Sequence, residues 1–301
     1  MDSWRTRGPE GFEYAKFTFE IWIGYPIAMI LNMILFIKLV RIPKIKVEPW
    51  RWLIANTSFI IILKAFLQLD GLISYTYEIP TLHSTALCAA VKVVQTVLHH
   101  MYIIGNFLVV IERFHALRLD KEDGGFGKKA VILCLSLFWI LITIATTLIV
   151  TLHALESDYP IIYTYKLTCG LHRSDFEILM KSFIWLVTSP AFIVVFIGTL
   201  VLIKRKTMTQ AVIKSNVNPT LATSSLGLFL MVLSVTLHTF PLSMFSYSLQ
   251  QKLPVFASIP GTLHMIAFPI IWLVTWFKNG EISFPCCDGN DNEENLPLQT
   301  T

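Results

Sequence analysis

Apolar residues run along this chain in long unbroken blocks, not in the alternation of a strand or the narrow stripe of a surface helix. A helix rises 1.5 Å per residue, so about 20 apolar residues cross the hydrocarbon core of a bilayer. Seven stretches reach that length: 19–40, 52–73, 85–112, 130–151, 182–203, 224–247 and 254–277. The second is interrupted by Lys64, Gln68 and Asp70, and the third carries Lys92, Gln95, His99 and His100. The pattern predicts an all-α fold, a seven-transmembrane helix bundle over 19–277. Residues 1–18 precede it as a short outer segment, and 278–301 follow as a tail whose polar, acidic end reads as disordered.

An odd number of spans puts the two termini on opposite sides. Basic residues gather in the loops of one side: Arg41, Lys44, Lys46 and Arg51, then Arg113, Arg118, Lys121, Lys128 and Lys129, then Lys204, Arg205, Lys206 and Lys214. The other side is sparser, with Arg5, Arg7, Lys16, Lys166, Arg173, Lys181 and Lys252. Lysine and arginine concentrate on the cytoplasmic face, which predicts the N-terminus outside and the C-terminus inside. No basic n-region with a cleavage site opens the chain, so the first apolar run is expected to remain as a helix.

Composition agrees with lipid as the main solvent. The chain is 54% hydrophobic and only 15% charged, against about 25% charged in soluble domains. The net charge of +4 is modest. No basic face interleaved with aromatics is present, which argues against a nucleic-acid partner. No internal repeat of the transporter kind is evident.

The polar residues of the third stretch carry the chemistry. Cys88, Lys92, Gln95, His99, Tyr102, Asn106 and Arg113 follow one another at steps of four, three, four, three, four and seven, which puts them on one helical face. Lipid cannot solvate that face, so it should point into the bundle. Its outer half, Lys92, Gln95 and His99, would line an outward-opening pocket, with Asp70 at a similar depth on the second helix and His238 and His264 near the floor. A wholly structural stripe of interhelical hydrogen bonds is the competing reading, strongest for Tyr102 and Asn106. His100 falls off the stripe and reads as a packing residue. Lys64 and Gln68, four residues apart, are placed to bond each other. At the inner end Glu112-Arg113-Phe114 sets an arginine beside a carboxylate, although, taken alone, a boundary arginine snorkelling to water explains it better.

The five cysteines show no zinc spacing. Cys88 and Cys169 are the only two expected on the outer side, where disulfides persist. A bond between them would tie the longest outer loop to the third helix; the alternative is two free thiols. Cys286 and Cys287 follow the last span closely and are candidates for lipidation, or unmodified tail thiols. Asn56-Thr57-Ser58 matches the glycosylation pattern but falls at the cytoplasmic mouth of the second helix, out of reach of the modifying enzyme.

Over nearly its whole length the chain resembles rhodopsin-like G-protein-coupled receptors, and more closely the serpentine chemoreceptors of nematodes. The marks are Cys88 with Cys169, the Glu112-Arg113-Phe114 triplet, Trp139 in the fourth span, and Pro190, Pro241 and Pro269 in the fifth, sixth and seventh. Each proline removes a backbone hydrogen bond and tends to kink its helix. The departures matter as well. The sixth-helix motif reads His238-Thr239-Phe240-Pro241, the seventh reads Phe268-Pro269-Ile270-Ile271-Trp272, and the second helix has no mid-membrane Asp. Neither the family's sodium site nor its usual switch carries over. The seventh span has no interior Lys for a retinal Schiff base, so no cofactor and no metal are expected.

The resemblance implies a plasma-membrane receptor, not an enzyme, that binds an extracellular small molecule and signals through a heterotrimeric G protein. Lys92, Gln95, His99, Asp70 and His238 would then meet the ligand, and Glu112 and Arg113 would couple to the G protein. A multi-helix membrane enzyme, such as a metal-dependent hydrolase, is the alternative and needs facing His and Asp/Glu clusters. A transporter is the third reading.

Overall fold

The computed structural model describes residues 18–41, 48, 50–76, 85–119, 125–156, 175–204, 218–233 and 247–278. All of its regular structure is helical, and no strand occurs among the described residues. Helix α1 opens with a wide π-helical turn, Glu20–Gly24, and continues as Tyr25–Arg41. There follow α2 (Trp50–Thr76), α3 (Thr85–Arg118), α4 (Lys128–Glu156) and α5 (Asp175–Lys204). Helix α6 (Asn218–Leu226) runs on into a second π-helical stretch, Gly227–Val232, and α7 spans Tyr247–Lys278. Helix α6 begins six residues before the apolar run that announced it, with Pro219 in its first turn, where a missing N–H costs no helical bond.

Among the described residues, five helical segments are long and apolar enough to cross a membrane: Glu20–Arg41, Trp50–Asp70, Val93–Arg118, Lys128–Ile149 and Ile259–Trp276. The chain is a multi-pass membrane protein. Burial sorts the helices by position. The α3 span is 72% buried and the α4 span 6%, so α3 is the central column and α4 lies at the rim. Leu133, Leu137, Ile140, Leu141, Ile144 and Leu148 of α4 all point outward. In water such a continuous apolar face would drive aggregation; in a bilayer it is the ordinary solvent-facing surface.

Packing closes the bundle. Helix α2 lies between α1 and α3, α3 also touches α4, α5 and α6, and α7 packs on α1 and α6. Without a hydrophobic drive between helices in lipid, close approach at small residues and buried hydrogen bonds hold such contacts. Both devices are present. At Gly105 of α3, a β-carbon would come within 2.8 Å of Thr57 Oγ1 on α2. The α4 rim is tied inward by Trp139, whose Nε1 donates to Asn56 Oδ1 on α2 at 3.0 Å. Helix α1 is pinned to α7 by Asn32, whose side-chain amide donates to the Met265 carbonyl at 2.9 Å. Pro190 and Pro269 lie inside α5 and α7; Pro241 lies outside the described residues.

Candidate functional site

Two polar loci sit at opposite ends of α3, joined by a buried polar column. The first is a cavity of about 120 Å³ between the C-terminal half of α2 and the N-terminal half of α3, lined by Lys64, Leu67, Gln68, Gln95 and His99. The spacing on each helix explains the lining. Lys64, Leu67 and Gln68 are three and four residues apart, as are Gln95 and His99, so each set forms one strip on its own helix.

Gln95 and His99, two residues of the stripe on the third span, line this cavity. Lys64 and Gln68 form its other wall. The expected bond between those two is not made through the Gln68 oxygen. That oxygen is buried and accepts no hydrogen bond among the described residues. Asp70 is exposed and outside the lining. The helix periodicity accounts for this, since two residues beyond Gln68 the side chain has turned to a different face. The backbones of Cys88 and Lys92 belong to α3, whereas their side chains, like His238, Cys169, Cys286 and Cys287, lie outside the described residues. Val94, which falls off the stripe, is 46% exposed.

Below the cavity the column continues inward. The Lys64 ammonium sits 4.6 Å from the centre of the Tyr102 ring, a cation–π contact that helps hold a charge away from water. The Tyr102 hydroxyl is hydrogen-bonded to His264 Nδ1 on α7, both residues being buried. One helical turn further along, Asn106 donates to the Tyr102 carbonyl at 2.7 Å. Tyr102 therefore belongs to a tie between α2, α3 and α7. His264 enters as its partner, where the sequence had left it only near the pocket floor. His100 is fully buried, with its ring 5.9 Å from that of His99. A central helix buries more than the one face its polar stripe marks.

The second locus is the far end of α3. Arg113 Nε donates to Glu112 Oε2 at 2.6 Å, and both side chains are 1% exposed. This arginine does not snorkel. Its guanidinium lies 3.7 Å from the centre of the Trp50 ring. Trp50 packs with Trp272 and Trp276 at centroid separations of 5.8 and 6.3 Å. Arg51, expected as an exposed loop charge, is also 1% exposed; it pairs with Glu48 and lies 5.2 Å from the Trp276 ring. The other oxygen of Glu112 accepts the Gly125 N–H at 2.7 Å and the Phe126 N–H at 3.4 Å, from the segment just before α4. One carboxylate thus bridges the arginine and the connecting loop.

Sequence reasoning missed Asn32, the Trp50–Trp272–Trp276 cluster and the loop amides on Glu112. A lone Asn in an otherwise apolar run was the available signal for the first, because a buried amide in lipid needs a partner. The second could have been suspected from three tryptophans beside basic residues at one end of the bundle. Nothing in residue type announces the third, which depends on backbone N–H groups. Comparison with known proteins finds no matching family model and no matching curated protein.

Proposed function

We propose that this protein is a seven-span G-protein-coupled receptor with its N-terminus outside, in the plasma membrane, where it detects an extracellular small molecule. The observation that carries the reading is the placement of two loci on one central helix. The polar cavity at Gln95 and His99 and the buried Glu112–Arg113 pair are both mounted on α3, about 20–27 Å apart at the helical rise. A ligand in the first can bias the second only if the column between them moves as a unit. Tyr102, His264 and Asn106 supply continuous hydrogen bonding along part of that length.

Arg113 is suited to a two-state role. Paired with Glu112 it closes the inner end of the bundle. Exchanged to a carbonyl or carboxylate on an incoming G protein, it keeps a hydrogen-bonded partner while Glu112 retains the two loop amides. The charges are never left wholly unpaired in either state, which keeps the gap between states small enough for a ligand to bridge. The resemblance to nematode serpentine receptors makes the function chemosensory, and it adds a Cys88–Cys169 disulfide on the outer side and acylation at Cys286 or Cys287.

The test is nucleotide exchange on heterotrimeric G proteins in membranes carrying the protein, under a small-molecule screen. Exchange should rise with an active compound and vanish in Arg113→Ala at equal surface expression. Full signalling from Arg113→Ala would overturn the coupling role. Absence of exchange on every G-protein class would overturn the receptor reading.

A further inference from the structure

We propose that Trp50 is the positioning residue that holds Arg113 in its closed arrangement and ties it to the inner end of α7, through a ladder of stacked cations and rings. The proposal rests on the receptor reading for what release of Arg113 triggers. The rungs come from three helices. The Arg113 guanidinium of α3 lies 3.7 Å from the centre of the Trp50 ring of α2. Arg51, next in the chain, lies 5.0 Å from the same ring and 5.2 Å from the Trp276 ring of α7. All three separations fall within the reach of a cation–π attraction. Trp272, one turn before Trp276, stands 5.8 Å from Trp50 and 5.9 Å from Trp276.

Burial gives these contacts their weight. None of the five side chains is more than 6% exposed, and a cation–π contact gains strength once water is removed from it. Each arginine also has its own carboxylate, Glu112 for Arg113 and Glu48 for Arg51. Two guanidinium groups near one ring would repel each other. A carboxylate on each, and the negative face of the ring they share, offset that repulsion.

The indole serves here by its face, not its edge. Trp50 Nε1 is buried and makes no hydrogen bond among the described residues, although a buried indole N–H usually finds an acceptor. A phenyl ring would fill the place without an unmet donor. What it lacks is the stronger negative face of the indole, the best aromatic partner for a cation. The ladder also completes the link between α3 and α7. Tyr102 and His264 tie the two helices nearer the cavity. Trp272 follows His264 by eight residues, with Pro269 between them, about 12 Å at the helical rise. Helix α7 is thus fastened to α3 on both sides of its proline, and a shift of its inner end pulls on Arg113 through Arg51 and Trp50.

The experiment uses the full-length protein in lipid nanodiscs with heterotrimeric G proteins of each class. It reads ligand-free nucleotide exchange and, without G protein, the unfolding midpoint. Trp50 is replaced by Phe, by Leu and by a series of ring-fluorinated tryptophans, which keep the shape of the indole and weaken its negative face in steps. Exchange should rise roughly 10-fold in Trp50→Leu, less in Trp50→Phe, and stepwise along the fluorinated series, with the midpoint falling in the same order. Trp276→Leu should raise exchange by less, because Arg51 keeps Trp50; no rise there overturns the link to α7. Trp52→Leu removes a ring that is 43% exposed and should change neither readout. If Trp50→Leu does not fold, the fluorinated series decides alone. A midpoint that stays flat along that series overturns the proposal, since a ring that only fills space does not respond to fluorine. A stepwise midpoint, with no exchange from any variant or any screened compound, would sink the receptor reading and leave the ladder standing. Exchange driven by screened compounds, with Trp50→Leu no higher than Trp52→Leu in their absence, would do the reverse.

Discussion

Asn32 replaces the hydrogen bond that Pro269 removes. In an α-helix the N–H of residue 269 would bond the carbonyl of residue 265, and proline has no N–H to give. The Met265 carbonyl instead accepts the Asn32 side-chain amide from α1 at 2.9 Å, and all three residues are buried. The same amide group also donates to Ala28 of its own helix at 2.8 Å. A kink that would leave an orphan acceptor in the membrane therefore becomes the joint between α1 and α7.

Substituting Asn32→Leu should lower stability by about 1 kcal/mol, toward the low end of the cost of an unpaired buried carbonyl. The loss is held down because Asn32 Oδ1 is itself buried and accepts no hydrogen bond among the described residues, so the leucine removes one unsatisfied atom as it creates another. The unfolding midpoint in nanodiscs is the readout. In a Pro269→Ala background the restored N–H can serve Met265, and the cost of Asn32→Leu should fall by at least half. An equal cost in both backgrounds would mean that Asn32 acts by packing.

On the proposed receptor reading, replacing Glu112 with Gln should raise basal G-protein activation. The carboxylate of Glu112 neutralises Arg113 and holds two loop amides, and the neutral amide keeps only part of that set. Breaking a buried pair by removing one charge commonly costs about 3–5 kcal/mol, and that cost falls on the closed state in which the pair is made. The measurement is ligand-free nucleotide exchange at matched surface expression. A basal rate equal to that of the unmodified chain would show that the pair does not restrain the inner end.

Trp139 and Asn56 form a hydrogen bond across α4 and α2. Trp139→Phe keeps the aromatic bulk and removes the donor, leaving Asn56 Oδ1 without it in a part-buried setting. The expected loss is about 0.5–1.5 kcal/mol, seen as a lower unfolding midpoint. The same bond engages the side chain that glycosylation would need. Glycosidase treatment should therefore leave the mobility of the protein unchanged.

Much of this architecture was legible in the residue pattern, and the limits are instructive. Apolar run length located the helices, because the bilayer fixes how many residues a span needs. The steps along α3 placed Gln95, His99, Tyr102, Asn106 and Arg113, because a charge or amide in lipid has few places to go. Periodicity within one helix says nothing about which neighbour it meets. Lys64 and Gln68 therefore read as partners of each other, whereas they stand together as the wall opposite Gln95 and His99. Asp70 read as a pocket residue by depth alone, but it is exposed and outside the cavity lining. The Asn32–Met265 bond joins residues 233 positions apart through a backbone carbonyl, and the loop amides on Glu112 have no side-chain signature at all.

Gly125 is the residue that lets the connecting loop reach Glu112. A β-carbon there would lie 2.7 Å from the Ala116 backbone nitrogen, 2.9 Å from the Glu112 carbonyl oxygen and 2.9 Å from His115 Cβ. Two of those three atoms are backbone of α3 and cannot swing aside as a side-chain tip would. Gly125→Ala must therefore lift the loop away and lengthen the 2.7 Å bond from the Gly125 N–H to the Glu112 carboxylate. A hydrogen bond to a buried charge contributes roughly 1.5–3 kcal/mol, so stability should drop by about that much, and the Gly125 and Phe126 amides should lose hydrogen-exchange protection. Gly127 provides the control, since a β-carbon there meets nothing within 4 Å; Gly127→Ala should be close to neutral. In a Glu112→Gln background the acceptor has already lost its charge, and Gly125→Ala should cost less than half as much. Were Gly125→Ala and Gly127→Ala to behave alike, or the two substitutions at 112 and 125 to add fully, the loop would not be held through the carboxylate.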